Sequence, residues 1–387
     1  MDVWTEPAGV PPDTILCEAV ILGAADDAVI QGIAYVAPSP PYSPPDRSPS
    51  LMMTAQNELR PVPATITLRY PMQWYTPVHP HAATTEAGTQ AWLADLRLLD
   101  SEAAIAKFRH LGVARYGGWP LYNADVEALA TVTRFLTLWI FYDDMLEGQG
   151  EAHESLAVAA VRGEPDFDVE AGGPYLRAWW ETACRYRTRM DTAWCARLGD
   201  RFGDWLRAVR EEAEQLRLLR EEGRHPDTQA YIHCRRRSIG VLPTLNLLEY
   251  ACGCALPDEL RGHPGVAALE RAAAELVFIQ NDLVSVPKDA RSDGVNLVFS
   301  IAQERRCTLA EACHEVEKMH DTALRGFTDA AAFLRAEYRD CPALIEWLAA
   351  AETMCHGFAR WHLSNTRYDR ELPLGDGTSV RIEVEYL

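Results

Sequence analysis

The sequence predicts an all-α protein built around one large helical domain. Between about residues 66 and 368, apolar residues recur at three- and four-residue intervals, the period of a half-buried helix. Strand-like alternation is nearly absent before residues 380–384. The chain has 387 residues, of which 48% are hydrophobic, enough for a sizeable core. We therefore expect a single bundle of about eight to twelve helices.

Glycines and prolines divide this periodic region into shorter helical segments. The predicted segments are residues 83–110, 124–147, 172–222, 226–254, 265–289, 293–303, 308–337 and 342–368.

The two ends of the chain differ from this helical region. Residues 37–50 contain six prolines, each of which removes a backbone donor and disfavours helix and strand. We therefore expect residues 1–65 to be a flexible Pro-rich extension, residues 66–370 to form the helical domain, and residues 371–387 to be a C-terminal tail.

Composition excludes several classes of protein. Acidic residues outnumber basic ones by 56 to 37, for a net charge of -19, which argues against a nucleic-acid surface. There is no apolar run long enough for a membrane span and no signal-peptide pattern at the N-terminus. The ten cysteines lack the spacing of a zinc site, so we expect them to be reduced. We expect a cytoplasmic protein, either a monomer or a homodimer.

A first acidic cluster ends a strongly apolar helix at Asp143, Asp144 and Glu147. Asp143 and Glu147 are four residues apart and share a helix face, with Asp144 turned about 100° away. Such carboxylates suit hard divalent cations that also bind phosphate oxygens. The alternative is a solvated helix end, although acidic groups are unfavourable near a helix C-terminus.

A second polar cluster places Asn281, Ser285 and Asp289 on one face of a later helix. Residues 269–280 before it are apolar enough for burial, so adjacent polar groups would be costly without a partner. A bound Mg2+ would satisfy them, and Lys288 beside this face can meet a phosphate as a point charge.

Together, the two clusters resemble the paired metal-binding motifs of class I terpene synthases, an aspartate-rich motif and a downstream Asn/Ser/Glu triad. The resemblance implies a class I terpenoid synthase α-bundle with a central active-site cavity, a prenyl diphosphate substrate and Mg2+, three ions in all. Two residues depart from the family pattern. Asp289 stands where Glu is usual, and Pro287 removes a helix hydrogen bond and invites a kink.

Basic residues at two further places resemble the family's diphosphate-binding groups. Arg235 leads an Arg-Arg-Arg-Ser segment similar to the diphosphate-sensing arginine, and residues 238–240 would be the helix break that moves on substrate binding. Arg367 and Tyr368 resemble the Arg-Tyr pair that closes over the diphosphate. Without this context, an arginine triplet is more typical of a solvated face, and we expect Arg236 and Arg237 to point away from the pocket.

The resemblance implies ionisation of an allylic diphosphate. Asp143, Asn281, Ser285 and Asp289 would hold the metal ions, and Asp144 and Glu147 would assist. Arg235, Lys288, Arg367 and Tyr368 would neutralise the leaving diphosphate.

Three aromatic residues are candidates to face the carbocation, namely Phe135, Trp139 and Trp361. For Phe135, ordinary core packing is an equal alternative. No general base can be identified from the sequence, and His362 is only a candidate.

Farnesyl diphosphate is the expected substrate, because single-domain members of the family are typically sesquiterpene synthases. Geranyl or geranylgeranyl diphosphate is the alternative, since pocket volume decides chain length. A chain-elongating or squalene/phytoene-type synthase would carry two DDxxD motifs. A non-catalytic helical relative is the remaining reading, and it would explain Asp289 and Pro287.

Overall fold

The computed structural model describes residues 64–145, 151–170, 172–364, 371–374 and 378–387. The side chains of residues 143–145, 151 and 371–373 are outside this description. Residues 1–63 of the expected N-terminal extension also lie outside it. The described segments contain fourteen α-helices and three β-strands, which confirms the all-α class.

Most of the described chain is helical. In chain order the helices are α1 (Ala82–Asp95), α2 (Glu102–Leu111), α3 (Val113–Gly118), α4 (Val126–Met145), α5 (Glu151–Arg162), α6 (Gly173–Tyr186), α7 (Thr192–Glu222), α8 (Thr228–Ser238), α9 (Val241–Ala251), α10 (Asp258–Arg261), α11 (Pro264–Arg291), α12 (Leu297–Arg305), α13 (Leu309–Glu337) and α14 (Pro342–Ser364). A short 3-10 helix, Met72–Trp74, precedes them.

The helix ends explain why several predicted segments are split in two. Ser101 and Asp191 each accept a hydrogen bond from the first turn of the following helix, so they begin α2 and α7 inside segments predicted as continuous. Gly240 divides α8 from α9, because its φ of 80° is a left-handed conformation that interrupts the helix. Glycine adopts this conformation readily. Short polar residues and one glycine therefore set boundaries that apolar periodicity alone does not show.

A small sheet joins the two ends of the described domain. Strands β1 (Ala64–Tyr70), β2 (Glu371–Pro373) and β3 (Ser379–Tyr386) form it in the order β1-β3-β2. β1 runs parallel to β3, and β2 runs antiparallel to it. The expectation that the helical pattern begins near residue 66 is wrong, because residues 66–70 belong to β1, whereas the strand-like tail is confirmed.

Strand β1 alternates buried and more exposed residues, which is the period of a strand with one face on a core. Its buried side chains are Ile66, Leu68 and Tyr70. The strand packs against α13, where the backbone N–H of Thr67 donates to Glu317 at 2.9 Å. The tail therefore forms part of the folded domain, because every residue of β1 pairs with a residue of β3.

Helix packing brings the two motif-bearing helices near a common neighbour. Helix α4 packs against α1, α3, α6 and α9, and helix α11 packs against α8, α9, α12, α13 and α14. Helix α9 is almost wholly buried between these groups. In the part of the chain that the structure describes, no helix is both long and apolar enough to cross a membrane.

Candidate active site

The first acidic cluster lies at the C-terminal end of α4. Leu138 and Tyr142 of this helix are completely buried, and the helical backbone continues to Met145. The hydroxyl of Tyr142 and Nε2 of His153 are 2.7 Å apart, which ties the end of α4 to α5. Asp143 and Asp144 thus have helical backbones, while their side chains and all of Glu147 lie outside the described residues.

The second cluster lies on α11, which runs without interruption from Pro264 to Arg291. Asn281, Ser285 and Asp289 are all partly buried on this helix. The helix continues past Pro287 to its end at Arg291.

Two of the three triad side chains are in direct contact. The hydroxyl of Ser285 donates to Oδ2 of Asp289 at 2.5 Å. The Nδ2 group of Asn296 donates to the same Asp289 oxygen at 2.8 Å and to the Ser285 hydroxyl at 3.2 Å. An alcohol and a carboxylate oxygen are therefore held together at one point.

Arg235 reaches this helix from α8. Its guanidinium donates to Oδ1 of Asn281 at 2.7 Å and to Oδ1 of Asp282 at 3.2 Å. It also lies 3.5 Å from the carboxylate of Glu212. Burial opposes its charge, but the Glu212 and Asp282 carboxylates outweigh burial and raise the pKa of Arg235. The arginine is thus a buried, permanently charged donor beside the second cluster.

Asp282 is a site residue that sequence reasoning missed. Its side chain is buried and accepts hydrogen bonds from the Tyr231 hydroxyl at 2.7 Å and from the backbone N–H of Leu297 at 3.2 Å. Burial raises its pKa to about 6, while Arg235 and Tyr231 oppose the shift. The sequence does contain a signal for this residue, because it places a carboxylate directly after Asn281 in an apolar helix. A carboxylate buried in such a helix needs hydrogen-bond donors around it.

The other two arginines of the triplet point elsewhere, as predicted. Arg236 pairs with Glu275, with its Nε donating at 2.7 Å, and Arg237 pairs with Glu211 and with Asp204 at 3.5 Å. Only Arg235 of the three contacts the triad among the interactions of the described residues.

The helix break after the triplet is confirmed, and two tryptophans surround it. A Cβ on Gly240 would stand 2.6 Å from Cζ2 of Trp139. The indole N–H of Trp205 donates to the carbonyl of Ser238 at 3.0 Å, and its ring centroid lies 4.0 Å from that of Trp139. Trp139 thus contacts the break between α8 and α9 directly.

The remaining aromatic candidates occupy different surroundings. Phe135 is completely buried and packs edge-on against Trp179 with 4.7 Å between ring centroids, so it belongs to the packed core. Trp361 is half-buried, its ring is tilted against Tyr116 with 4.3 Å between ring centroids, and its indole N–H donates to the carbonyl of Leu111 at 2.7 Å. The contact with Trp179 holds the Phe135 ring in place, and the contacts with Tyr116 and Leu111 hold the Trp361 ring in place.

His362 lies within reach of the triad. Its Nε2 is 3.4 Å from Nδ2 of Asn281. Burial, and secondarily the charge of Arg235, lowers the pKa of His362 to about 3, so this imidazole is neutral and a weak base. Lys288 is exposed, and Arg367 and Tyr368 lie outside the described residues.

The donors of the second cluster fit a hard divalent cation. Amide, hydroxyl and carboxylate oxygens are the ligands that Mg2+ takes in proteins. Among the described side chains, no three His, Cys, Asp or Glu residues cluster as a metal site. A cation on α11 would accordingly need the Asn281 and Ser285 oxygens as well as Asp289.

The fold is shared with solved bacterial enzymes. A crystal structure of 2-methylisoborneol synthase from Streptomyces coelicolor A3(2), in complex with Mg2+ and 2-fluoroneryl diphosphate, superposes with a TM-score of 0.68 at 22% identity. The match covers 79% of this chain and 99% of that one.

The amino-acid sequence matches terpene synthases as well. Residues 134–326 match the model described as terpene synthase family 2, C-terminal metal binding. Pristinol synthase from Streptomyces pristinaespiralis is 25% identical over 309 residues, covering 76% of this chain and 82% of that protein. The 4-epi-cubebol synthase of Streptosporangium roseum, described as (2E,6E)-farnesyl diphosphate cyclizing, is 26% identical over 309 residues, 77% of this chain and 91% of that protein.

The matched model spans the end of α4, Arg235 and the whole triad on α11. The chain belongs to the class I terpene synthases, enzymes that act on prenyl diphosphates and use a divalent metal.

Proposed function

We propose that this enzyme ionises farnesyl diphosphate in a Mg2+-dependent reaction, cyclises the resulting carbocation to a sesquiterpene and releases diphosphate. The observation that carries the proposal is the contact between the buried, charged Arg235 and Asn281, beside the joined oxygens of Ser285 and Asp289. A cationic donor and hard-metal ligands on one site suit a diphosphate with its metal ions.

The metal site would be formed from both motif-bearing helices. Asp143 on α4 and Asn281, Ser285 and Asp289 on α11 would be the direct ligands, and Asp144 and Glu147 would assist. Bound Mg2+ supplies positive charge that stabilises the departing diphosphate, and three ions are the family expectation. Arg235, Lys288, Arg367 and Tyr368 would add hydrogen bonds to the diphosphate oxygens.

Arg235 has the clearest structural support among these donors. Its charge is maintained by Glu212 and Asp282, and its end group already meets Asn281. A diphosphate at this position would compete for the same N–H groups, so substrate binding would be sensed directly at the end of α8. The adjoining break at residues 238–240 is where a resulting shift would be absorbed.

Trp139 is the best-supported aromatic neighbour of the carbocation. It lies one turn before Asp143 on α4 and contacts the α8–α9 break, whereas Phe135 is completely buried. A desolvated indole face stabilises a cation by on the order of 2 kcal/mol. Trp361 stays a candidate, since it neighbours His362 and is only half-buried.

A substrate panel tests the proposal. Purified protein would be incubated with Mg2+ and geranyl, farnesyl or geranylgeranyl diphosphate, with products identified by gas chromatography and diphosphate measured separately. We expect a cyclic C15 product from farnesyl diphosphate and less turnover of the other two. Turnover of geranyl diphosphate alone would favour a monoterpene synthase, while no diphosphate release from any substrate would favour a non-catalytic relative.

A further inference from the structure

Asn296 is a completely buried polar residue that lies immediately before α12. Its Nδ2 group donates to the carbonyl of Asp282 at 2.9 Å, to Oδ2 of Asp289 at 2.8 Å and to the hydroxyl of Ser285 at 3.2 Å. Its Oδ1 accepts from the backbone N–H of Val298 at 2.9 Å. One amide therefore caps α12 and contacts two members of the triad on α11.

The connection between the two helices encloses Asp289. The backbone N–H of Gly294 donates to the carbonyl of Asp289 at 2.8 Å, and a Cβ on Gly294 would lie 3.2 Å from the Cβ of Asp289. The loop thus passes directly against the main chain and Cβ of the aspartate.

The start of α12 contacts two carboxylates of α11, those of Asp282 and Asp289. Asp289 receives the Asn296 amide, and Asp282 receives the backbone N–H of Leu297 at 3.2 Å. Helix N-termini attract negative charge, so this arrangement is electrostatically favourable for both groups. Asn296 and Leu297 thereby connect the triad to the Asp282–Arg235 pair.

We propose that Asn296 is a positioning residue for the metal site, holding the Asp289 carboxylate and the Ser285 hydroxyl together before the cation arrives. Asp289 is one methylene shorter than glutamate, so it has less reach and depends more on being correctly oriented. The inference rests on the metal site of the proposed function. Residues that hydrogen-bond metal ligands typically change metal affinity by about 10- to 100-fold when replaced.

The test must separate metal positioning from helix capping. Asn296→Ser keeps a favourable N-cap residue for α12, but its side chain is too short to reach Asp289. Thr308→Ala is the matched control, because Thr308 caps α13 and contacts none of the triad residues. If the serine variant does not fold, Asn296→Thr also caps a helix and fills more of the buried space.

The measurement is isothermal titration calorimetry of MgCl2 into the full-length protein with inorganic diphosphate present, with circular dichroism to verify folding. We expect Asn296→Ser to weaken apparent Mg2+ affinity by about tenfold or more, and Thr308→Ala to leave it unchanged. Adding Asp289→Glu to the serine variant should recover part of the loss, because the longer carboxylate needs less positioning.

Two results would overturn the inference, and they are distinguishable. Equal Mg2+ affinity in the wild type and Asn296→Ser would leave the metal site intact but remove the role of Asn296. Absence of Mg2+ and diphosphate binding by the wild type would contradict the proposed function itself, and the inference with it.

Discussion

Asp282 shows how a charge can be kept inside this bundle. The residue is 1% exposed, and its carboxylate faces the Tyr231 hydroxyl, the Arg235 guanidinium and the N–H of Leu297. A buried carboxylate is costly unless such donors surround it. The pair with Arg235 therefore fixes where the arginine lies and aims its remaining donors at Asn281.

Replacing the arginine tests this geometry. Arg235→Lys keeps the charge but cannot reproduce the planar set of contacts to Asn281, Asp282 and Glu212. Losing charged hydrogen bonds of this kind costs about 1.5–3 kcal/mol, so we expect kcat/KM to fall roughly ten- to a hundredfold. Steady-state kinetics with farnesyl diphosphate measures this fall in kcat/KM.

Arg236→Lys is the matched control, since Arg236 pairs with Glu275 and does not contact the triad. It should retain kcat/KM within about fivefold of the wild type, consistent with a partly exposed ion pair worth at most ~1 kcal/mol. Equal losses in both variants would contradict the distinct role of Arg235.

At the scale of elements, the α8–α9 break is defined by one glycine and one tryptophan. Gly240 adopts φ 80° and lies against the ring of Trp139, which belongs to α4, the helix that carries Asp143. Side chains at this position would meet both backbone strain and an aromatic ring. The break thus connects α8, which carries Arg235, to α4.

Gly240→Ala should destabilise the protein through both effects. Positive φ costs an alanine about 1–2 kcal/mol, and crowding against Trp139 should add about 1–3 kcal/mol. Gly253→Ala provides the control, because Gly253 has φ 72° but nothing within 4 Å of an added Cβ. We therefore expect urea denaturation to show a larger loss for Gly240→Ala, and similar losses would contradict contact with Trp139.

At the scale of the whole molecule, the β1–β3 pairing connects the beginning and end of the described domain. Tyr386 of β3 lies with its hydroxyl 3.1 Å from Nε2 of His356 on α14. Burial, and secondarily the charge of Arg360, lowers the pKa of His356 to about 3. This histidine is neutral in the folded protein at pH values where the unfolded chain would be protonated.

This difference predicts a dependence of stability on pH. The unfolded state binds a proton below about pH 6.5, whereas the folded state does so only near pH 3, so His356 makes stability fall as pH decreases between these values. One such group contributes at most about 1.4 kcal/mol per pH unit. His356→Gln should flatten the decline in unfolding free energy from pH 7 to pH 5.

The exposed His233 supplies the comparison for this measurement. His233→Gln should follow the wild-type pH dependence in the same urea titrations. A wild-type slope in His356→Gln would show that burial at the sheet does not control this titration.

Local spacing and long-range contacts differ in how far the sequence predicts them. The common helix of Asn281, Ser285 and Asp289 follows from four-residue spacing, which needs no knowledge of the rest of the fold. The contacts of Asn296 and Asp282 join different helices, so their partners depend on tertiary packing. The parallel pairing of Ile66 with Ile382 joins residues more than three hundred positions apart and leaves no local trace.

The most direct test of the metal-binding account is the Mg2+ dependence of diphosphate release from farnesyl diphosphate by the wild type and Asn281→Ala. Asn281 is the triad member that meets both Arg235 and His362. We expect the variant to lose about a hundredfold or more of the rate, with its helical circular dichroism intact. If Asn281→Ala turns over normally at the same Mg2+ concentrations as the wild type, the assignment of the α11 triad as the metal site is contradicted.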